Sequence, residues 1–416
     1  MSSSSFLSAA TQRAQDCLMT RWLCCPPEDG ANIRIVDTGA AGRSLVAARD
    51  LPAYTRVFRE RPLFVGVVSS AQPLACGEAE AVAAALLQKA ATQPAAPEVA
   101  AVRSCLRAPK TALEGLDEAV RAFTTAAADA GAPWTADDIA WALGVASINV
   151  HAAPDGRGVL GACSSMMQHD CNPSARVTVD LDSSAEGGRS GFVSLHTLRD
   201  VSAGEPLTIS YVVHYQSTQQ RRAQLVAQHG FTCCCARCDH EPELCRAWRC
   251  PNCDDGPCSP ANSSAACREV HCDACGADMR LDDDAWAPYV RAEESAVLDG
   301  AVLATLHPYH HRMVTVYRHN LVKVSPAQRA QIFMQFVEAR TRLVGGRPHP
   351  ANATDLEAAA AALRAAGDLE GSAAQLVEAL RIFQTCLGAD STDAVRVASK
   401  LDGLKRRHAA AAAAAS

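Results

Sequence analysis

Cysteines crowd one short stretch of this chain, and their arrangement limits the fold more than any other feature does. Eleven of the nineteen cysteines fall between Cys233 and Cys275, mostly spaced as C-x-C or C-x-x-C. The sequence shows no secretory signal, so we expect a cytosolic or nuclear compartment in which thiols stay reduced. Clustered cysteine pairs bind metal under those conditions rather than forming disulfides. The sequence therefore predicts a middle segment that is organised by metal ions.

Two of the cysteine pairs have the spacing of a zinc ribbon. Cys250 and Cys253 form one C-x-x-C pair, Cys272 and Cys275 form the other, and 18 residues separate the pairs. Structural zinc needs four ligands in a tetrahedron, and two knuckles that contribute two sulfurs each supply them. We expect these four cysteines to bind one zinc ion.

A second cysteine group precedes the ribbon in the stretch FTCCCARC. Its C-x-C-x-x-C pattern offers three thiolates, those of Cys233, Cys235 and Cys238. Tetrahedral zinc requires a fourth ligand. Cys171, which stands alone in MMQHDCNPSA, would supply it if its segment folded back onto the three. A local finger would take Cys245 or His240 instead, and the spacing alone leaves both arrangements open.

The charge and hydropathy of the chain argue against two classes of function. A net charge of −6 provides no basic surplus for a dedicated nucleic-acid binder. No apolar run approaches the ~20 residues that span a bilayer, so we expect no membrane attachment. The Ser-rich start lacks acidic residues until Asp16 and is expected to be a disordered extension, with an organellar transit peptide as the alternative. The expected location is otherwise the cytoplasm, the nucleus or both.

Strand-like and helix-like stretches succeed one another along the chain and predict an α+β fold. Short apolar alternations indicate strands near 32–68 and again from 157, with an Ala-rich helical insert at about 70–148 between them. The helix WTADDIAWALGVASIN is expected to start at the N-cap Thr135. Two amphipathic segments near the C-terminus meet at a Gly-Asp turn, as in a helix-hairpin repeat of the TPR type. The expected segments are an N-terminal extension 1–29, a β-rich domain 30–212, a cysteine tail 213–240, a ribbon 241–284, a TPR-like helical region 285–408 and a disordered tail 409–416.

Three histidines in LHPYHHRM, residues 306–313, form a further group of possible metal ligands. The neighbouring sequence contains no carboxylate or cysteine that would complete a metal site. We therefore expect this stretch to be the exposed start of a helix.

Several motifs resemble, in the right order, those of a SET domain. QHDCNPSA (168–175) is similar to the N-H-S-C-x-P-N motif of that family, and GEPLTISY (204–211) to its G-E-x-L-x-x-x-Y motif. FTCCCARC (231–238) is similar to its cysteine tail, GRSLVAARDLP (42–52) to its opening, and ASIN (146–149) to the segment whose Asn meets the cofactor. The helical insert, the ribbon and the repeat-like C-terminus further resemble the SMYD branch of SET lysine methyltransferases.

The resemblance implies methyl transfer from S-adenosylmethionine (AdoMet) to a lysine of a protein substrate, either a histone or another protein. It implies that Tyr211 is the catalytic tyrosine. The residues implied to contact the cofactor are Arg43, Ser44, Asn149, Gln168, His169, Tyr211 and Phe231. In the family, the Cys of the His-x-Cys motif shares a zinc with the three tail cysteines, which implies one site of Cys171, Cys233, Cys235 and Cys238 and about two zinc ions in all. A monomer without direct nucleic-acid binding is expected.

The chain also departs from the motifs of the family. The altered positions are Ser44, Gln168, Asp170, Ser174 and His229. His229 replaces a Tyr that usually stands two residues before the Phe, and this replacement is expected to loosen the lysine channel. The only cysteines in residues 69–130 are Cys76 and Cys105. Two cysteines are too few for the MYND zinc finger of the SMYD branch, which is therefore expected to be absent.

Two other functions stay open at this point. A SET protein with weak or no catalysis could act as a zinc-stabilised scaffold through its helical end. The finger spacing alone also fits a two-zinc ubiquitin-ligase or nucleic-acid-binding module. Such a module would need basic or aromatic contact residues near the knuckles, which the sequence lacks. Binding of AdoMet distinguishes the enzyme from the scaffold.

Overall fold

The computed structural model describes residues 29–38, 43–68, 77–106, 116–181, 191–254, 256–264, 267–295 and 299–415. The expected N-terminal extension at 1–29 lies outside these residues except for its last position, and so does Cys76. The chain divides into two compact units. The first unit runs to Tyr211 and includes Gln224–Thr232, and the second contains Val212–Ala223 and Cys233–Ser416. Among the described helices, none is long and apolar enough to cross a membrane.

Ten short strands are described in the first unit. They are β1 (Ile33–Asp37), β2 (Arg43–Ala47), β3 (Arg56–Glu60), β4 (Phe64–Gly66), β5 (Val150–Ala152), β6 (Gly158–Leu160), β7 (Gln168–His169), β8 (Ala175–Leu181), β9 (Gly191–Thr197) and β10 (Thr208–Ile209). They form small sheets with the strand orders β1-β2, β3-β9-β8, β4-β6-β5 and β10-β7. Only the last of these pairs is parallel, with Thr208 opposite Gln168 and Ile209 opposite His169. That pairing brings two separate segments of the chain side by side.

The strands of the first unit enclose an apolar core. Phe58 of β3, Leu45 of β2 and Leu195 of β9 are fully buried there, together with Leu207 before β10. Burying a side chain such as Phe58 contributes about 1.5–3 kcal/mol to folding. This core anchors the parallel pair β7-β10, because Met167 and Ile209 belong to it.

Helices occupy most of the described residues between β4 and β5, which confirms the predicted insert. They are α1 (Glu78–Thr92), α2 (Pro97–Cys105), α3 (Asp117–Asp129) and α4 (Ala136–Asn149). α4 starts after the N-cap Thr135, as predicted, because the Thr135 hydroxyl accepts the Asp138 N–H at 3.1 Å and the Asp138 carboxylate accepts the Thr135 N–H at 3.2 Å. At Gly66 of β4, a Cβ atom would overlap the backbone of Ala81 and Val82 in α1. Only glycine therefore allows β4 to lie this close to the insert.

The helix α5 (Thr218–His229) follows the last strand of the first unit, and the short helix α6 (Ala236–Asp239) comes after it. A four-stranded antiparallel sheet then follows sequence order. Its strands are β11 (Trp248–Arg249), β12 (Pro257–Pro260), β13 (Glu269–Cys272) and β14 (Asp278–Arg280). Trp248 is buried, with ring centroids 5.2 Å from Trp286 and 5.1 Å from Tyr289. The sheet therefore shares an apolar core with the helix that follows it.

The rest of the second unit is helical. Its helices are α7 (Asp283–Glu294), α8 (Gly300–Thr305), α9 (His311–Asn320), α10 (Pro326–Leu343), α11 (Pro350–Ala365), α12 (Leu369–Leu387) and α13 (Thr392–Ala415). The predicted Gly-Asp turn joins α11 to α12, with Gly367 at φ 87° and Asp368 as the N-cap of α12. The helix α13 continues to Ala415, which differs from the expected disordered tail at 409–416. Alanine is the strongest helix former, and its run extends the helix backbone.

Candidate active site and metal centres

Tyr211 follows β10, and the parallel pairing with β7 places it beside the segment 167–169. Its hydroxyl donates a hydrogen bond to the backbone carbonyl of Met167. Burial raises the pKa of Tyr211 to about 12, so the hydroxyl stays protonated at neutral pH. The residue that the sequence predicted to be catalytic therefore has a neutral hydroxyl in a fixed orientation.

His169 connects the backbone of Tyr211 to Cys171. The Tyr211 N–H donates to His169 Nδ1 at 3.0 Å. Because a backbone N–H can only donate, Nδ1 carries no proton, and the proton of the neutral ring is on Nε2. His169 Nε2 lies 3.2 Å from Cys171 Sγ and donates to that sulfur. Tyrosine amide, imidazole and cysteine sulfur thus form one hydrogen-bonded series.

Four rings form a connected cluster around Tyr211. The Tyr211 ring centroid lies 5.3 Å from that of His169 and 4.7 Å from that of His229. The Phe231 centroid lies 6.0 Å from that of His169 and 6.4 Å from that of His229. Phe231 is 37% exposed, so the cluster reaches the surface. Although His229 replaces the usual tyrosine, its ring still packs against Tyr211.

Ser174 and Asp170, two of the departures from the expected motif, fix the segment next to β10. The buried Ser174 hydroxyl donates to the Pro206 carbonyl at 3.2 Å and accepts the Thr208 N–H at 2.9 Å. The Asp170 carboxylate accepts the Asn172 N–H at 2.7 Å, which closes a turn. Both replacements therefore have hydrogen-bonding roles that the sequence alone did not reveal.

Glu60, which the sequence analysis did not single out, supports the segment that leads to β7. Its carboxylate is buried, 2% exposed, and accepts three backbone N–H bonds at 3.2, 2.9 and 2.8 Å. The donors are Ala162, Cys163 and Ser164. Burial raises the pKa of Glu60, and the three hydrogen bonds oppose that rise. A Cβ at Gly161 would overlap the Ser164 hydroxyl and the Glu60 carboxylate, so a side chain there would displace both groups.

The other residues expected to contact a cofactor already have protein partners. Gln168 Nε2 donates to Thr38 Oγ1 at 3.1 Å, and Asn149 Nδ2 donates to the Val145 carbonyl at 2.8 Å. Arg43 and Ser44 begin strand β2, and Ser44 is fully buried. The residues immediately before them, 39–42, lie outside the described part of the chain. Cofactor contacts of these four residues stay a prediction.

The four ribbon cysteines converge on one point. The sulfurs of Cys250, Cys253, Cys272 and Cys275 lie within 4.8 Å of one another. The Cys250–Cys275 sulfur distance is 3.9 Å and the Cys253–Cys272 distance is 3.8 Å. Zinc–sulfur bonds of ~2.3 Å in a tetrahedron place sulfurs about 3.8 Å apart, so the cluster fits zinc. A hydrogen bond from Asn252 lowers the pKa of the Cys275 thiol to about 6, which favours the thiolate that zinc requires.

The cysteines of the tail form a second cluster. The sulfurs of Cys233, Cys235 and Cys238 lie within 4.8 Å of one another. In the described part of the chain, neither Cys245 nor His240 offers an atom to this cluster. Cys245 instead lies 3.4 Å from the Arg237 guanidinium, in a core with Tyr215. The local-finger alternative is therefore not supported, and the two cysteine groups fit the expected two zinc ions.

The histidines near 310 are buried, which corrects the expectation of an exposed helix start. His310 is 0% and His311 8% exposed, and their ring nitrogens approach the Glu293 carboxylate within 4.8 Å. His310 Nε2 lies 2.9 Å from Glu293 Oε1, and Arg246 donates two hydrogen bonds to the same carboxylate, at 2.9 and 2.7 Å. The carboxylate already has a cationic partner, so this cluster is an ion-pair network rather than a metal site. Glu293 lies 17 residues before His310, so the spacing of the histidines does not reveal it.

Comparison with known proteins identifies the domain that contains Tyr211. A family model described as "SET domain" matches residues 42–212. This part of the chain resembles a SET domain. Histone-lysine N-methyltransferase SET5 of Meyerozyma guilliermondii is 35% identical over 82 residues, which cover 20% of this chain and 17% of that protein. Histone-lysine N-methyltransferase SMYD3 of Mus musculus is 31% identical over 74 residues, 18% of this chain and 15% of that protein.

These matches confirm the predicted relationship of the SET domain to SMYD proteins. Histone-lysine N-methyltransferase ATXR4 of Arabidopsis thaliana is also similar, at 33% identity over 91 residues, 21% of this chain and 26% of that protein. The chain spans less than a third of the length of these curated relatives. A solved structure, "Crystal structure of the SET domain of LSMT bound to Lysine and AdoHcy", aligns over 97% of this chain and 92% of that chain with 13% identity and a TM-score of 0.41.

Proposed function

We propose that this chain is an AdoMet-dependent methyltransferase that acts on a lysine of a protein substrate, with histones as the first candidates. The observation that carries this proposal is the fixed, neutral hydroxyl of Tyr211 in a partly exposed aromatic cluster of the SET domain. The names of the relatives, histone-lysine N-methyltransferases, support the same reaction and the same substrate class.

Positioning is the main contribution that these residues would make. AdoMet, when bound, supplies a methyl group on a positively charged sulfur. The rings of His169, Tyr211, His229 and Phe231 would exclude water from the lysine amine, and desolvation lowers its pKa. The Tyr211 oxygen donates its proton to Met167 and keeps lone pairs that can accept a hydrogen bond from the amine. Orientation of this kind supplies up to ~7–11 kcal/mol.

We propose the same roles for the remaining residues that the resemblance implied. Gln168, His169 and Asn149 would hold the polar parts of AdoMet. Arg43 and Ser44 would lie near AdoMet. Phe231, the exposed ring of the cluster, would line the channel that holds the cofactor or the lysine.

The hydroxyl of Tyr211 provides the test of this function. Tyr211→Phe keeps the ring and removes the hydroxyl, so methyl transfer to core histones should fall roughly 10²-fold, while AdoMet affinity by calorimetry stays within about twofold of wild type. Tyr317→Phe is the matched control, because that hydroxyl has no hydrogen bond among the described residues, and we expect it to retain full activity. Full activity of Tyr211→Phe would contradict the catalytic assignment. Failure of the zinc-replete wild-type protein to bind AdoMet would favour the scaffold function.

We further propose that Cys171 is the fourth ligand of the tail zinc. Three sulfurs leave a tetrahedral site one ligand short. Cys171 is 0% exposed, and its sulfur accepts the hydrogen bond from His169 Nε2. Zinc thiolates commonly receive such outer hydrogen bonds, which orient them and tune the metal.

Zinc content tests this assignment. Metal analysis of the wild-type protein should give two zinc ions per chain, and Cys171→Ser should give about one, because the tail site loses a thiolate. Cys163→Ser, which alters another buried cysteine of the same unit, should keep two. Two zinc ions in Cys171→Ser would show that the tail site takes its fourth ligand from elsewhere.

A further inference from the structure

His229 is the polar member of the ring cluster whose nitrogens the protein leaves available. It is the last residue of α5 and is partly buried against Tyr211 and Phe231. Within the described residues, neither of its ring nitrogens has a hydrogen-bond partner. The other polar atoms of the cluster are engaged, because the Tyr211 hydroxyl donates to Met167 and both nitrogens of His169 have partners.

We propose that the His229 imidazole is the acceptor for the proton of the substrate lysine, an assignment that rests on the proposed methyltransferase function. A lysine amine must be neutral before it can attack a methyl group, and it is charged in water at neutral pH. A lysine that entered the ring cluster beside Tyr211 would meet the His229 ring, whose centroid lies 4.7 Å from the Tyr211 ring. Histidine is well suited to this transfer, because its charge changes near neutral pH.

The protonation of the cluster is compatible with this role. Burial lowers the pKa of His229, so its imidazole is neutral at pH 7 and can accept a proton. The rings next to it are those of Tyr211, whose hydroxyl is neutral, and of the apolar Phe231, and the neutral His169 ring contacts both of these rings. No charged side chain of the described residues shifts the pKa of His229; burial alone does so.

The step balances without a further reactant. An N–H bond of the lysine ammonium breaks, and its proton goes to a nitrogen of His229. The lone pair left on the amine forms the N–C bond to the methyl group, while the methyl–sulfur bond breaks and its electron pair stays on sulfur. S-adenosylhomocysteine leaves, and His229 returns its proton to water. The protein gains and loses nothing over the cycle.

The pH dependence of methyl transfer tests the assignment. His229→Phe keeps a ring against Tyr211 but has no proton acceptor, and His229→Gln keeps a polar group that does not titrate. Both should lower kcat on core histones about 10–100-fold at pH 7 and approach the wild-type rate towards pH 10, where lysine loses its proton to solvent. The KM for AdoMet should stay unchanged. His319→Gln, at an exposed histidine of α9, should behave as wild type.

A His229→Phe variant with the wild-type rate and pH profile would overturn the assignment. If circular dichroism shows that both variants are unfolded, an NMR experiment on the wild-type protein tests the assignment instead. In the complex with S-adenosylhomocysteine, a lysine-containing histone-tail peptide should shift the His229 ring resonances, and unchanged resonances would overturn the proposal. No methyl transfer by wild type at any pH would instead overturn the proposed function itself, and this assignment with it.

Discussion

Single hydrogen bonds decide how the candidate site is held. The Tyr211 amide fixes the tautomer of His169, and Glu60 holds three consecutive N–H groups before β7. Buried polar groups of this kind stabilise a fold only while all partners are present, since an unpaired buried N–H costs about 1–3 kcal/mol. The candidate site therefore also depends on residues outside the ring cluster, such as Glu60.

Glu60→Gln tests this dependence. The amide has one acceptor oxygen where the carboxylate has two, so at least one of the three N–H groups loses its partner. We expect the free energy of unfolding to fall by about 1–3 kcal/mol in urea denaturation, and methyl transfer to fall with it as the segment before β7 loosens. Glu118→Gln, at an exposed position of α3, should change neither quantity. Unchanged stability of Glu60→Gln would show that the loop does not rely on this carboxylate.

Tyr211, His169 and Cys171 could be predicted from the sequence, because each occupies a position at which a SET motif specifies that residue type. It could not reveal the partners of Glu60 or Ser174, because each partner lies more than 30 residues away and no local spacing encodes it. His229 was recognised as a departure, but its packing on Tyr211 depends on where α5 ends. Long-range contacts of single side chains are thus the part of the site that required coordinates.

At the scale of elements, the backbone of the ribbon brings its four cysteine sulfurs close enough together to bind a metal. Cys250 Sγ accepts the Asn252 N–H at 3.3 Å, and Asp254 adopts a positive φ of 62°. Gly256 returns the chain to β12, where a Cβ would lie 2.5 Å from Cys272 Sγ and 3.1 Å from Cys253 Sγ. The sulfurs can therefore converge only while residue 256 has no side chain.

Gly256→Ala should weaken zinc binding at the ribbon, because the added methyl group would push two ligands apart. A loss of affinity of about 10–100-fold, the range seen for changes just outside a metal site, should appear in competition with a chromophoric chelator. Zinc at the tail site should be unaffected. Gly300→Ala is the control, since a Cβ there meets no atom within 4 Å. Equal affinities for the two variants would contradict the steric argument.

Helices and turns could be predicted from the sequence more readily than the pairing of the strands. The capping signal at Thr135, the helical insert and the Gly-Asp turn before α12 are local patterns, and the structure confirms them. The parallel pair β7-β10 joins strands of two residues each, which are too short to give a periodic signal. Whether the C-terminal helices are TPR-like stays a prediction.

At the scale of the whole molecule, acid should be the main threat to stability. In the second unit, burial lowers the pKa of His311 to about 3. Burial would raise the pKa of Glu293, but the hydrogen bonds from His310 and Arg246 outweigh it and lower that pKa to about 2. The unfolded chain binds protons at these groups at higher pH than the folded chain does. Acid therefore favours unfolding.

The free energy of unfolding should accordingly be constant between about pH 6.5 and 8 and fall below that range. Each of these groups lowers the free energy of unfolding by about 1.4 kcal/mol for every pH unit between its unfolded and folded pKa values. The loss due to His311 begins at about pH 6.5 and the loss due to Glu293 at about pH 4.5. Urea denaturation at pH 7.5, 6 and 5, followed by tryptophan fluorescence and with zinc content measured in each sample, would show this. His311→Gln should reduce the slope between pH 6.5 and 5. Equal slopes for variant and wild type would refute the assignment to His311.

The series from Tyr211 through His169 to Cys171 has a pharmacological consequence. An electrophile that captured the Cys171 sulfur would leave the imidazole free to turn and the tyrosine amide without its acceptor. Under the proposed function, such a compound would inhibit methyl transfer by disturbing the position of Tyr211, and added AdoMet would not relieve the inhibition.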